Sequence, residues 1–364
     1  MKILNIVGAR PNFIKIAPLM TEYRKHKNID AILVHTGQHY DDKMSDYLFH
    51  DLGIPKPDIN LEVGSGSHAV QTAEIMKRFE PFAISYKPDL VVVVGDVNST
   101  IACGLVATKL DIKLAHIEAG LRSFDRSMPE EINRILTDSI SDLLFCTESS
   151  GVDNLLAEGV AHNKIHMVGN IMIDTLLSHL EKAQQSTIIE DLQQQYCLDI
   201  RDFAVLTLHR PSNVDDALVF SRILDALEVI QADMPVFFPI HPRTRRNISI
   251  LGLQQKIDNL KNLYMLDPVS YLDFLKLQAD ARIVLTDSGG IQEETTILKV
   301  PCITLRENTE RPVTVTIGSN QVAGTDTGKI VTAYKRAVNG DYREPQIPPL
   351  WDGKAAERIV STFE

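Results

Sequence analysis

Short apolar runs recur along this chain, and each stops abruptly at a glycine or a polar residue. In the first half they occupy residues 3–7, 31–35, 90–94, 114–117 and 143–146. Apolar runs this short, without polar alternation, are the mark of strands buried on both faces of a parallel sheet. Helical patterns fill the intervals, as at 13–25 and 100–110. Strand–helix alternation predicts a doubly wound α/β fold. A polar, glutamine-rich stretch at 179–198 interrupts the pattern and reads as helical. New apolar runs follow at 203–208, 236–240, 283–286 and 302–305. The chain of 364 residues is too long for one small core and reads as two α/β domains, 1–172 and 173–349, with a tail at 350–364. In the tail, Ala356, Ile359, Val360 and Phe363 share one face of a short helix. That face needs a surface to bury against, and the first domain is the expected one.

Composition narrows the partners. Lys plus Arg total 37 and Asp plus Glu 48, for a formal charge of −11. A nucleic-acid reader carries a basic stripe, and none is visible. No apolar run reaches the roughly 18–20 residues that cross a bilayer. The opening Met1-Lys2-Ile3-Leu4-Asn5-Ile6-Val7 looks like a buried strand and lacks the features of a signal peptide. Cys103, Cys146, Cys197 and Cys302 form no C-x-x-C pair, and Cys146 and Cys302 fall in strand-like runs as packed thiols. A cytoplasmic protein with no nucleic-acid or membrane partner is expected.

Chemistry gathers where the apolar runs stop. Gly8-Ala9-Arg10-Pro11-Asn12 follows the first run, Gly95-Asp96 ends the valine run, and Glu118-Ala119-Gly120 follows His116-Ile117. In the second half His209-Arg210, His241 and Asp287-Ser288-Gly289-Gly290 stand at the same kind of place. Open α/β sheets bind ligands at the carboxyl ends of their strands. Such endings in both domains imply one cleft between them. Ser288-Gly289-Gly290 leads from a strand into a helix, where free N–H groups and the helix dipole suit a phosphate. A tight turn without a ligand fits the same residues. Arg10, Lys15 and Arg311 can add positive charge, although each alone reads as a solvated cation. Glu294, one turn into the helix, suits ribose hydroxyls.

Asp96 and Glu118 end apolar strands, where an unpaired carboxylate is costly. With Glu130 they form a set that different neighbours can tune apart into acid and base. Pro129, Glu130 and Glu131 also suit the first turn of a helix, the plainer account of Glu130. Arg134 stands i+4 from Glu130 and is placed to hold it. His209 and His241 end strands, where simple packing would explain either, and for His241 packing is the favoured account. His116 and Glu118 share a strand face, but no further ligand has metal-site spacing, so no metal is expected. Gly64-Ser65-Gly66-Ser67-His68-Ala69 fits the loose dinucleotide pattern far from the first strand, and a lone match is weak.

Several ordered segments carry a family resemblance. They are Gly8-Ala9-Arg10-Pro11-Asn12-Phe13-Ile14-Lys15, His35-Thr36-Gly37-Gln38-His39-Tyr40, Gly95-Asp96-Val97-Asn98-Ser99-Thr100, His116-Ile117-Glu118-Ala119-Gly120-Leu121-Arg122, Met128-Pro129-Glu130-Glu131-Ile132-Asn133-Arg134, Thr286-Asp287-Ser288-Gly289-Gly290-Ile291-Gln292-Glu293-Glu294 and Glu310-Arg311-Pro312. The set resembles the UDP-N-acetylglucosamine 2-epimerase family from Arg10 to Asp352-Gly353-Lys354-Ala355. The resemblance implies two Rossmann-like domains in the glycosyltransferase-B arrangement, with a UDP-sugar in the interdomain cleft. It implies conversion of UDP-GlcNAc into UDP-ManNAc through 2-acetamidoglucal, with no nicotinamide and no metal. A homodimer supplying ManNAc units for cell-surface polysaccharide is expected.

By resemblance, Asp96, Glu118 and Glu130 are the acidic catalytic residues and His209 the essential histidine. Arg10, Lys15, Ser288, Gly289, Gly290, Glu294 and Arg311 match positions that hold UDP, and Arg134 is expected with them among the residues that bind the UDP-sugar. Phe274 matches an aromatic of the uracil pocket, near Val269, where some members have Gln. Some bacterial members bind a second UDP-GlcNAc as activator, and His39-Tyr40-Asp41 departs from the cationic pattern of that site. A hydrolysing relative that releases free ManNAc, a UDP-sugar glycosyltransferase and a nucleotide-sugar sensor are the alternatives. The segment Arg306-Glu307-Asn308-Thr309-Glu310-Arg311-Pro312 looks more like the non-hydrolysing group.

Overall fold

The structure, a computed structural model, describes residues 1–37, 52–54 and 56–363; the Arg10 side chain and the His39-Tyr40-Asp41 segment lie outside that description. Among the described residues, one parallel sheet joins β1 (Lys2–Val7), β2 (Asp30–His35), β3 (Ile59–Asn60), β4 (Leu90–Val94), β5 (Lys113–Ile117), β6 (Leu143–Cys146) and β7 (Ile165–Met167). Its order is β3-β2-β1-β4-β5-β6-β7. A second parallel sheet joins β8 (Ala204–Thr207), β9 (Val236–Pro239), β10 (Leu263–Leu266), β11 (Ile283–Thr286), β12 (Cys302–Thr304) and β13 (Asn320–Val322), in the order β10-β9-β8-β11-β12-β13. Each order reverses at the first strand of its sheet. The switch points, β1/β4 and β8/β11, are where Rossmann-like sheets open a crevice at their carboxyl ends. The chain divides into two units, Met1–Ser178 with Pro349–Glu364, and His179–Pro348.

Unbroken apolar runs arise because both faces of these sheets are covered. In the second sheet Ala204 and Leu206 enter a core with Phe220, Leu227 and Phe238. Their neighbours Phe203 and Val205 enter another with Phe237, Leu277 and Val284. The side-chain period of two thus feeds two apolar layers. The apolar runs mark the interior strands of both sheets. They do not mark β3, β7, β10 or β13, which are the edges. An edge strand is covered by fewer neighbours and tolerates sequences such as Asn320-Gln321-Val322. The polar stretch at 179–198 is carried by the helices Ile171–Ala183 and Ile188–Tyr196.

Within the first unit the tail helix Ala355–Ser361 packs on the helix Arg10–Tyr23, burying Ala355, Ala356, Ile359 and Val360. Asp174 accepts from the Ala355 and Ala356 amides at 3.1 and 2.8 Å. Trp351 is fully buried and donates Nε1–H to the Thr147 carbonyl at 2.9 Å. Cys103, Cys146 and Cys302 are buried free thiols and Cys197 is exposed; burial pushes Cys146 and Cys302 up to about 12. Among the described residues no helix is long and apolar enough to cross a membrane.

The tail should therefore be part of the first unit's stability. Trp351→Ala removes a buried indole, a change that costs about 3–5 kcal/mol, and it strips the Thr147 carbonyl of its donor. Calorimetry should show a melting temperature lowered by about 10 °C. An unchanged melting temperature would mean that the tail is not a folded part of this unit.

Candidate active site

Asn12, in the first turn of the helix Arg10–Tyr23, ties the ends of β1 and β4 together. Its Oδ1 accepts from the Gly8 and Ala9 amides at 3.1 and 3.0 Å, and its Nδ2 donates to the Val94 carbonyl at 3.0 Å. Nearly one turn later, Lys15 donates to Glu118 Oε2 at 2.5 Å, with both side chains buried. Lys15 is therefore no solvated cation. Each charge offsets the penalty of burying the other. Glu118 has φ of +70°, a left-handed backbone that a non-glycine residue adopts at a cost of about 1–3 kcal/mol, and such strain clusters at functional sites. Gly95, at φ +69°, lies beneath the pair; a Cβ there would touch Glu118 Oε2 at 3.4 Å and Lys15 Nζ at 3.5 Å.

Asp96 follows Gly95, and its carboxylate accepts from Arg134 Nε at 3.1 Å. Its carbonyl accepts from Asn133 Nδ2 at 2.8 Å. The spacing of the sequence pairs Arg134 with Glu130; in the structure a second nitrogen of the guanidinium, NH1, meets Glu131, one turn back. Positions i+3 and i+4 are equally near on a helix, so burial decides. Glu131 is buried and also accepts from the Ser123 and Phe124 amides at 3.0 and 2.9 Å. Glu130 is half-buried in the first turn of Pro129–Ile140. Both ring nitrogens of His116 face protein acceptors, Asp138 Oδ1 at 2.7 Å and the Gly95 carbonyl at 2.8 Å. Burial pushes the Asp138 carboxyl up, but His116 and Arg122 outweigh it and hold the group below the usual carboxylate range.

In the second unit the switch point is built around Asp287, which is fully buried. It accepts from the His209 amide at 3.0 Å, the Arg210 amide at 2.9 Å and Asn213 Nδ2 at 3.2 Å. His209 Nδ1 lies 2.8 Å from Asp287 Oδ1. Burial pushes this carboxyl up; His209 and the amide donors prevail and hold it below the usual range. The Nδ1 contact fixes the orientation of the ring, and His209 itself is exposed.

Ser288 stands at the N-cap position of the helix Gly289–Leu298, and its side chain makes no capping bond. A Cβ on Gly289 would lie 2.6 Å from Arg311 NH1, so only glycine lets that guanidinium rest on the helix start. Arg311 is buried, bonded to Glu293 and Glu310 at 2.6 Å each, and like Lys15 is not a solvated cation. Gly290 follows at the helix start. Glu294 is buried and accepts from Gln278 Nε2 at 2.8 Å and Tyr271 Oη at 3.3 Å. Phe274, on the helix Tyr271–Asp280, packs against the Phe237 and Leu277 core. His241 is exposed and caps the helix Pro242–Ile250, accepting from the Arg243 amide at 3.2 Å, rather than packing inside.

The structure thus joins Lys15 with Glu118 and Asp96 with Arg134 in the first unit, and gathers His209, Ser288, Gly289 and Arg311 around the β8/β11 switch point in the second. Sequence reasoning passed over Asp287, Glu131 and Asn12 as site residues. A signal existed for Asp287: like Glu118 it is an acid directly after an apolar strand.

A family model described as UDP-N-acetylglucosamine 2-epimerase matches residues 21–364. The UDP-N-acetylglucosamine 2-epimerase of Methanocaldococcus jannaschii is 44% identical over 99% of this chain and 98% of its own. The UDP-2,3-diacetamido-2,3-dideoxy-D-glucuronate 2-epimerase of Pseudomonas aeruginosa is 42% identical over 99% of this chain and 98% of its own. The crystal structure of the M. jannaschii enzyme in complex with UDP-GlcNAc and UDP superposes with a TM-score of 0.92 at 42% identity, covering 100% of this chain and 99% of that one. With whole-length matches of this kind, the chain belongs to the UDP-N-acetylglucosamine 2-epimerase family of carbohydrate isomerases.

Proposed function

We propose that this protein interconverts UDP-GlcNAc and UDP-ManNAc without releasing free sugar. The observation that carries this reading is that Asp96 and Glu118 follow neighbouring strands, β4 and β5, and each meets a buried cation. The C2 proton beside an acetamido group is not acidic enough for direct removal. If the C1–O bond breaks first, its electron pair leaves on UDP and the ring becomes cationic. Loss of the C2 proton then gives 2-acetamidoglucal. Protonation on the opposite face and return of UDP to C1 give the epimer. One proton leaves and one returns, and no hydride moves, so no redox cofactor is required.

In this reading Asp96, Glu118 and Glu130 carry the proton transfers, and Lys15 sets the field at Glu118. The departing diphosphate is met by Arg10, Arg311, the Ser288-Gly289-Gly290 helix start and His209, oriented by Asp287. Glu294 takes the ribose and Phe274 the uracil. The protein acts as a cytoplasmic homodimer and supplies ManNAc units for cell-surface polysaccharide. The P. aeruginosa relative favours a second reading, the same inversion on a UDP-2,3-diacetamido uronate.

Proton NMR of UDP-GlcNAc with the pure protein in D2O tests the reaction. Deuterium should enter C2 while UDP stays attached. Free ManNAc would identify a hydrolase, and an inert sugar a transferase or sensor; a much higher kcat/KM on the diacetamido uronate would support the second reading.

Asp96→Asn, Glu118→Gln and Glu130→Gln should stay folded and bind UDP, yet lose about 10²–10⁴-fold in turnover. Variants that expel UDP but cannot re-protonate C2 should leak 2-acetamidoglucal, visible by mass spectrometry. Near-normal turnover in all three would return these acids to structural roles.

Asp287→Asn should lower kcat by releasing His209. It also carries a pH signature. The folded carboxyl titrates below its unfolded value, so its contribution to stability is present above the ordinary carboxylate range and is lost as pH falls through the folded value. The stability gap between wild type and Asp287→Asn should be constant near neutrality and close in acid. Denaturant unfolding at several pH values checks this, and a gap that widens in acid would contradict it.

A further inference from the structure

The helix Pro129–Ile140 turns a row of charges inward. Glu131, Arg134 and Asp138 stand at i, i+3 and i+7, on one face, and all three are buried. Such a row is costly unless every member is matched, and apolar residues of similar size in its place are often as stable or more so. Stability alone does not account for it. Its partners do: each lies on a strand end or loop that carries a carboxylate of the proposed site.

We propose that Asp138 is a positioning residue for the epimerisation, acting through His116 on the Gly95-Asp96 turn and through Gly120 and Arg122 on the turn that bears Glu118; this rests on the function proposed above. A backbone carbonyl only accepts, so His116 Nε2 carries the hydrogen it gives to Gly95 at 2.8 Å. Nδ1 of the same ring is held by Asp138 Oδ1 at 2.7 Å. The other oxygen, Oδ2, accepts from the Gly120 amide at 3.1 Å and from Arg122 NH1 at 2.7 Å. Arg122 is fixed in turn by two bonds to Glu158, at 2.8 and 2.7 Å, and one to the Leu121 carbonyl at 2.8 Å.

One carboxylate therefore grips the chain one residue before Asp96 and two residues on either side of Glu118. The left-handed backbone of Glu118 persists only where its surroundings over-determine it. His116 and Gly120 bracket that residue, and Asp138 binds both. Glu131 and Arg134 complete the arrangement on the same helix face, holding the Ser123-Phe124 amides and the Asp96 carboxylate. Carboxylates that exchange a proton with one carbon must hold position to within about 0.5 Å, and this face supplies the hold without touching the reacting atoms.

Asp138→Asn tests the inference. The amide keeps the size but removes the charge that Arg122 meets, and its N–H2 group faces either the His116 ring or the Gly120 amide and Arg122. Expected in the intact protein are a kcat and a C2–deuterium exchange rate lowered about tenfold or more, with KM and UDP affinity within about twofold. His116→Gln should give the same split, and Asp138→Glu, which keeps the charge, should recover part of the rate. A wild-type protein that exchanges C2 alongside variants that match it, after correction for folded fraction, overturns this inference alone. Loss of the fold in both Asp138→Asn and His116→Gln does so too, because the network is then structural. A wild-type protein inert at C2 overturns the proposed function and this inference together.

Discussion

The Lys15–Glu118 pair is the constraint around which the first unit is arranged. A carboxylate at the end of a buried strand loses its hydration, and the loss is tolerable only if a cation or several N–H groups replace the water. Lys15 supplies the cation from the first helix of the chain, across 103 residues of sequence. For the two to meet, β1 and β5 must flank β4, the helix Arg10–Tyr23 must start at the switch point, and the turn between must carry no side chain at Gly95. Asn12 secures the start of that helix and Gly95 clears the space. The parallel order of the sheet is thus read out chemically at its carboxyl end.

The second unit solves the same problem with different groups. Asp287 is as deeply buried as Glu118, but it is matched mainly by N–H donors, those of His209, Arg210 and Asn213, and by the His209 ring. The result is a fixed imidazole beside a helix start. The first unit therefore matches its strand-end acids with cations, and the second matches its own with N–H groups. The proposed reaction calls for both kinds of group, acids to move a proton and N–H donors with cations to stabilise a departing diphosphate.

Much of this was legible in the sequence, and the limits have physical causes. Interior strands declared themselves because both faces are apolar, as Ala204 to Leu206 illustrates; the edges β3, β7, β10 and β13 did not, because half-covered strands need no such run. Asp96 and Glu118 stood out as acids closing apolar runs. The partner of Lys15 could not be read, because nothing local couples residues so far apart. The contact of Arg134 with Glu131 was hidden for another reason: helical spacing allows Glu130 and Glu131 equally, and burial marks Glu131. The Arg311 environment was likewise hidden, because Gly289 signals an open turn in sequence whether a ligand or a guanidinium fills it.

The helix Pro129–Ile140 shows why a proposed catalytic acid and a structural acid can be chain neighbours. Successive helical residues point about 100° apart, so Glu130 and Glu131 diverge at once. Glu131 turns inward to Arg134 and the loop amides, whereas Glu130 stays half-buried at the helix start, where Pro129 fixes the first turn. A proton-transferring group needs access to substrate, and the groups that aim it need burial. Adjacent positions on one helix meet both needs with a single backbone, and any shift of that helix moves Glu130 together with the grip on Asp96 and Glu118. The charges of the inner face are thus best understood as what keeps three acids, drawn from two strands and a helix, in one register.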